Sequence, residues 1–444
     1  MNTMLVFFEN FLWLLVLIGV MINLHELGHF WAARYFDVKV EAFSFGFGTR
    51  LFGFRRGETD YRFSAIPLGG YVKMAGEQAT DENLDDPRAF LAKPRWQRLI
   101  IAFAGPFMNM ALAVSLLTVL YMVKYQKVAD ADMEAVIGHV MPDSAAAKAG
   151  IQDGDRIVRL DGKENPNWED VGLKEIESAK QPMYLTIERG GKRFDTTVTP
   201  TLSERSGMGF AGWDERGQIQ LGEVEHDLPA AKAGLKKGDL ILTVNGQPMH
   251  SQIKFQEITK NSGGNPIDIE YERNGQKHTV TVRPTYASID GPARWMIGVQ
   301  PLQKLNLITT RLPFPQALRE SLHQNSKYAL LIANFLKGVV ERRMSPKNIT
   351  GPIGIAQLSG EAAREGPSAF FILMSMVSLN LAIFNLLPIP ILDGGVILML
   401  LVEMTMQRDL SLGVKEAVFK VGFVCIMVIV AFVIYNDISR IAAG

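Results

Sequence analysis

Residues 25–29 read His-Glu-Leu-Gly-His. On an α-helix, positions i and i+4 share a face, so His25 and His29 can present their imidazoles to one metal ion. Glu26 lies beside the first of them, where a general base for an attacking water belongs. On a soluble helix the same pattern reads as two surface histidines and a salt-bridged glutamate. Here the preceding stretch Leu12–Leu24 holds a single polar side chain, Asn23, and ionisable groups next to such a run are costly unless paired or used. A hydrolytic zinc site usually takes three protein ligands and keeps a position for water. The other histidines, His139, His226, His250, His278 and His323, all lie outside apolar stretches, and the single cysteine, Cys425, stands without partners. A thiolate cluster and an intrachain disulfide are therefore excluded. The remaining candidate is a carboxylate. Asp393 sits in LNLAIFNLLPIPILDGGVILMLL and is the only acid between Glu365 and Glu403. Pro388 and Pro390 break that run, and Gly394 and Gly395 free its backbone. Irregular backbone at membrane depth survives only where protein or a water-filled cavity surrounds it, and an acid at such a break reads as a functional site. The competing reading is an Asp capping the helix that resumes at Gly394.

The elements that must position these residues are apolar. Of 444 residues, 48% are hydrophobic, and 46 basic residues balance 46 acidic ones, so no net field points to nucleic acid. Four runs are long enough for helices that cross a bilayer: Met4 to about Ala33, roughly Leu99 to Val123, about Ala369 to Leu401, and about Val418 to Tyr435. The first has no basic residue before it and no small-residue cleavage site after it, so it reads as a retained helix and not a secretory signal. Arg34, Lys39, Lys93, Arg95 and Arg98 flank the first loop, and Arg408 and Lys415 lie between the last two spans. The basic bias puts those loops in the cytoplasm, with both termini and the long middle segment outside. Lys337, Arg342 and Arg343, on the other side, weaken that bias.

The middle segment repeats itself. Gly138, Val140, Lys148, Ala149, Gly150, Gly154, Asp155 and Gly162 recur 84 positions later at Gly222, Val224, Lys232, Ala233, Gly234, Gly238, Asp239 and Gly246. Glu188, Arg189 and Gly191 recur likewise at Glu272, Arg273 and Gly275. Two tandem β-rich domains follow, and their AG-hydrophobic-x-x-GD pattern resembles the PDZ family, whose members bind extended peptides by adding a strand to a sheet edge. After them, Leu318, Leu322, Ala329, Ile332, Phe335 and Val339 share one helical face. That helix either lies on the membrane or packs on a PDZ domain. The expected domains are 1–133, 134–217, 218–302, 303–366 and 367–444: two spans with the HExxH motif, two PDZ domains, a linker helix, and two spans with Asp393.

HELGH in the first span, LDG in a later one and PDZ repeats between spans two and three resemble the site-two-protease family. So do GFG at Gly46–Gly48, PLGGYVKM at Pro67–Met74 and AGPFMN at Ala104–Asn109. The resemblance covers nearly the whole chain. It implies a polytopic α-helical membrane protein and an intramembrane zinc metalloprotease of the inner membrane, with termini and PDZ domains periplasmic and the active site near the cytoplasmic side. Substrates would be single-span proteins already trimmed outside: an anti-sigma factor of the envelope stress response and leftover signal peptides. Membrane lipid would surround a monomer. His25, His29 and Asp393 match the family's zinc ligands, Glu26 its acid/base, and Asn380 and Asn385 its substrate-contacting asparagines; Val396 departs from relatives with His there. Tyr61–Met74 reads as a hairpin around Gly69-Gly70, and its edge, with Gly69, Gly70 and Tyr71, could hold an unwound substrate as an added strand. Two rivals remain: a membrane-anchored PDZ scaffold with a vestigial HELGH, and a PDZ-bearing serine protease, which the absence of G-x-S-x-G disfavours.

Overall fold

The computed structural model describes residues 3–77, 86–128, 134–203, 206–288, 293–304 and 306–442. The chain divides into two compact units. One comprises Met1–Tyr125, Thr310–Ile332 and Ile349–Ile438; the other comprises Gln126–Thr309, Ala333–Asn348 and Ser439–Gly444.

Helix α1 (Thr3–Tyr35) is apolar on all sides, as a helix enclosed by lipid and other helices must be. Its sides meet different neighbours. Leu17 and Met21 pack with Phe370 and Met374, while a Cβ on Gly19 would come 3.4 Å from the Phe45 ring and Phe30 stacks edge-on to Phe43 and Tyr61.

Strand β1 (Val40–Arg56) pairs with β2 (Thr59–Met74) in a long, irregular hairpin. The turn lies at Arg56–Thr59, where Gly57 takes φ 63°, and not at Gly69-Gly70 as the sequence suggested. Those two glycines lie inside β2 because the backbone there must approach its neighbours closely. A Cβ on Gly69 would collide with the Phe47 ring, and one on Gly70 would come 2.8 Å from Ser44 O. Ala42–Phe45 pair with two stretches of β2 at once, Asp60–Phe63 and Gly70–Lys73. Gly70–Met74 pair only with Val40–Phe45, so this stretch is an edge of the sheet.

Helix α2 (Arg95–Val123) carries Pro106 in its interior. In the second unit, β3 (Ala135–Val140), β4 (Arg156–Leu160), α3 (Trp168–Glu177), β5 (Met183–Arg189), β6 (Lys192–Val198) and β7 (Trp213–Glu215) form a sheet of order β7-β3-β4-β5-β6 with α3, and a further short helix spans Ala145–Lys148. The same design follows with β8 (Ile219–Val224), β9 (Leu240–Val244), α4 (Gln252–Lys260), β10 (Ile267–Arg273), β11 (Gln276–Val282) and β12 (Val299–Gln303), in the order β12-β8-β9-β10-β11. The repeated sequence repeats its bonds. Arg189 grips the buried Asp155 with two nitrogens and donates to Gly150 O; Arg273 does the same to Asp239 and Gly234 O. Each sheet buries its own apolar cluster, around Ile137, Ile157 and Ile187 in the first and Leu221, Ile241 and Ile269 in the second.

Helix α5 (Phe314–Val340) begins against α2: Ser321 Oγ donates to Val114 O at 2.7 Å and Leu312 N to Tyr121 O at 3.0 Å. Helix α6 (Pro352–Glu365) follows, its first turn capped by Asp437, which accepts from Gly351, Ile353 and Gly354 N. Helix α7 (Pro367–Asn385) lies along α2, and Ser375 and Ser378 donate to Ala113 O and Asn109 O at 2.9 Å each. Such small polar residues join helices where lipid offers no hydrophobic driving force. The proline break leads to α8 (Asp393–Met406) and α9 (Leu412–Ala442). Among the described residues, α1, α2, α7 and α9 are long and apolar enough to cross a membrane.

Candidate metal centre

Gly28 of α1, with Gly105 and Pro106 of α2, shapes the contact between the two helices. Gly28 lies against Ala104, where a Cβ would come 2.7 Å from Met108 Cγ. Gly105 faces the histidines, and a Cβ there would come 2.6 Å from His29 Cε1 and 2.8 Å from His25 Cε1. Pro106 has no N–H to donate back along the helix. Five residues before it, the Ile101 carbonyl accepts from His29 Nδ1 at 2.8 Å. His29 therefore keeps the Nε2 lone pair free.

His25 is held from the same face of α2, one turn beyond Gly105. The buried Asn109 amide nitrogen Nδ2 lies 3.2 Å from its Nδ1, and turning the amide over puts Oδ1 in that place. The amide orientation in which Oδ1 accepts from His25 Nδ1–H satisfies an otherwise orphaned buried oxygen and again leaves Nε2 free. The sequence reading overlooked Asn109. Its signal was the AGPFMN segment, one of few polar positions in a helix otherwise built to be apolar.

Asp393 arrives through strained backbone. Ile389–Leu392 close a turn, with Leu392 N donating to Ile389 O at 3.1 Å and Pro390 at its first corner. Ile391, at the second corner, takes φ 85°, a conformation a β-branched residue adopts at a cost of about 1–2 kcal/mol. Gly394 and Gly395 let the start of α8 lie directly on this loop; a Cβ on Gly395 would come 2.7 Å from Pro390 Cα. Asp393 is the first residue of α8, the N-cap is Leu392, and the Asp393 carboxylate turns to the histidines.

The three side chains converge. His25 Nε2 and His29 Nε2 are 3.2 Å apart, Asp393 Oδ2 lies 3.1 Å from the first and Oδ1 3.4 Å from the second. Four ligands at about 2.0–2.1 Å around tetrahedral zinc stand about 3.3 Å from one another. The separations fit that tetrahedron edge, and both imidazoles are oriented by a partner on their far nitrogen, so the donor set suits zinc. Among the described residues no other such group of histidine, cysteine or acid occurs.

Glu26 stands one residue along and is not part of this triple. Its Oε2 accepts from Val72 N, on the outer edge of β2, at 3.0 Å. Gly70 is 3.5 Å from Glu26 Cγ by its missing Cβ, so the edge strand lies directly against the glutamate. Beside the centre opens a cavity of about 650 Å³, whose walls include His29, Val72, Phe90, Arg98, Ile391 and Asp393. Tyr71 stacks on Phe47 next to this edge, with ring centroids 6.2 Å apart. Asn380 and Asn385 are half-buried in the last turns of α7, just before the loop that carries Asp393.

The peptidase family M50 model matches residues 13–429. The chain belongs to peptidase family M50. It is 32% identical over 449 residues to the regulator of sigma E protease of Salmonella typhi, covering 96% of this chain and 98% of that one. It is 30% identical over 457 residues to the regulator of sigma-E protease RseP of Escherichia coli strain K12, covering 97% and 100%. A solved PDZ domain of an SdrC-like protein from Listeria monocytogenes aligns with 20% of this chain and 90% of its own, at 22% identity and a TM-score of 0.18. The M50 member is a zinc metalloprotease and a multi-pass membrane protein.

Proposed function

We propose that this protease cuts single-span membrane proteins within or at the edge of the bilayer, with zinc held by His25, His29 and Asp393 and with Glu26 as the proton carrier. The observation that carries the reading is the His-His-Asp triple at 3.1–3.4 Å with Glu26 beside it, the histidines and the glutamate on a helix apolar enough to span a membrane. Zinc, when held there, supplies Lewis-acid polarisation of the scissile carbonyl and acidifies the attacking water. Glu26 takes the water's proton and later returns it to the leaving nitrogen. A substrate helix has its carbonyls tied up in its own hydrogen bonds and must unwind first. The edge of β2 from Gly69 to Met74, with Gly70 and Tyr71, would receive the unwound stretch as an added strand against Glu26. Asn380 and Asn385 would contact the same stretch. Chelation should abolish cleavage of a purified single-span reporter, and zinc should restore it. Cleavage that persists in metal-free enzyme would overturn the reading.

We place the chain in the inner membrane as a monomer, acting on trimmed anti-sigma factors and remnant signal peptides in envelope stress; its relatives are named as regulators of sigma E. Segments 134–217 and 218–302 would be tandem periplasmic PDZ domains, between spans 1–133 and 367–444, with 303–366 linking. With Cys425 replaced, cysteines in the repeats should react with an impermeant thiol reagent from outside, and cysteines near Arg95 should not; the reverse pattern refutes the orientation.

We infer that the repeats filter more than they recruit. A single-span substrate is already concentrated by sharing the membrane, so tethering adds little, whereas obstruction supplies selectivity. Replacing residues 134–302 with a flexible linker should leave an enzyme that also cuts substrates with intact outer domains. If it still rejects them while cutting trimmed ones, the filter lies elsewhere.

A further inference from the structure

Each repeat ends on a short edge strand that follows a two-residue link: Ala211–Gly212 before β7, and Ile297–Gly298 before β12. The two loops are bonded alike. Ala146 N donates to Ala211 O and Ala230 N to Ile297 O, each at 2.9 Å; Met141 N donates to Gly212 O and Glu225 N to Gly298 O. Ala211 therefore corresponds to Ile297. An edge strand headed by a free loop N–H is where an extended peptide adds to a sheet and where its terminal carboxylate meets backbone donors.

In the first repeat that donor is already in use. Glu175 of α3 accepts from Ala211 N through Oε1 at 2.6 Å and from the Trp213 indole N–H through Oε2 at 3.1 Å. The helix end that carries Glu175 is fixed from two sides. Gly209 lies against it so closely that a Cβ would come 2.9 Å from Ala179 N. Arg343 Nη1 donates to the Glu177 and Ala179 carbonyls at 3.1 and 3.4 Å. In the second repeat, the residue 84 positions after Glu175 is Thr259, whose hydroxyl donates to Phe255 O within its own helix at 2.9 Å. Among the described residues, no side chain accepts from the Ile297 N–H.

We propose that Glu175 is an internal stand-in for a peptide's terminal carboxylate, closing the first repeat to free C-termini while the second repeat stays open. The two repeats are then unequal receptors despite their matching sequences, and the asymmetry resides in one side chain. Vacating Glu175 exposes two donors, the Ala211 N–H and the Trp213 indole, to an incoming carboxylate. The proposal rests on reading the repeats as PDZ peptide receptors.

The test uses full-length protein in detergent at pH 8. A short dye-labelled peptide ending in valine is titrated by fluorescence anisotropy, once with a free carboxylate and once amidated. Glu175→Ala should gain a site for the free-carboxylate peptide, binding it at least tenfold more tightly than any first-repeat binding in the wild type. Glu175→Gln keeps the shape but not the charge and should gain less. Neither should gain affinity for the amide. The proposal is overturned if Glu175→Ala binds the carboxylate peptide no better than the wild type, or gains equally for the amide. If the alanine variant does not fold, the glutamine variant decides, and no gain there overturns it. Failure of the PDZ reading itself has a different signature: neither the wild type nor either variant distinguishes carboxylate from amide.

Discussion

Gly105→Ala adds one methyl group to α2 and places it between the two imidazoles. The new Cβ would stand 2.6 Å from His29 Cε1 and 2.8 Å from His25 Cε1, where ordinary contacts begin at 3.4 Å. The difference, 3.4 − 2.6, requires at least 0.8 Å of movement. The rings have little freedom to give it. His29 is tied to the Ile101 carbonyl at 2.8 Å, His25 abuts Asn109 at 3.2 Å, and Asp393 closes the far side at 3.1 and 3.4 Å. The helices must part or the ligands must leave their common point. A misplacement of about 1 Å at a catalytic centre costs about 10²-fold in rate, or about 2.7 kcal/mol of barrier. Zinc content of the purified variant and cleavage of a single-span reporter measure the two consequences. Gly172→Ala is the control, since a Cβ there meets nothing within 4 Å. If Gly105→Ala holds zinc and cleaves like Gly172→Ala, the contact between α2 and the histidines does not constrain the centre.

Asn109→Ala removes the partner of His25 Nδ1, and zinc affinity should fall about 10–100-fold in a chelator competition; unchanged affinity would mean that Asn109 only packs. The Glu175 carboxyl has its own pH signature. Burial pushes it up to about 7 from an ordinary 4.5, against the two N–H groups that favour its charge. The folded state therefore holds this proton more tightly than the unfolded state, and the stability it confers is full below pH 4.5 and is lost as pH rises to about 7. At about 1.36 kcal/mol per unit, wild type should lose up to about 3 kcal/mol relative to Glu175→Gln between pH 5 and pH 8 in thermal scans. Parallel curves for the two proteins would refute this.

The sequence carried the residue types of the candidate centre because metal chemistry demands few residues, and an apolar background isolates them. His25, His29 and Asp393 stood out as ionisable groups in segments that otherwise exclude charge. The 84-residue repeat was equally legible, since Asp155 with Arg189 and Asp239 with Arg273 make the same bonds in both copies. What escaped was set by close approach between elements. Gly69 and Gly70 carry the composition of a turn, yet they serve a strand pressed against Phe47 and Ser44, and the actual turn uses the less conspicuous Gly57. The role of Asn109 depends on the pairing of α1 with α2, which no local pattern reports. Glu175 was invisible for the same reason: one helical glutamate among many, distinguished only by the Ala211 N–H that it meets.

The central claim separates two roles for residues that are neighbours in space: three hold zinc, and Glu26 moves the proton. Zinc stoichiometry and reporter cleavage, measured together on wild type, Glu26→Gln and Asp393→Asn, test it most directly. The account predicts one zinc per chain in wild type, one zinc without cleavage in Glu26→Gln, and loss of both in Asp393→Asn. Zinc loss in Glu26→Gln, or wild-type cleavage by Asp393→Asn, would contradict it.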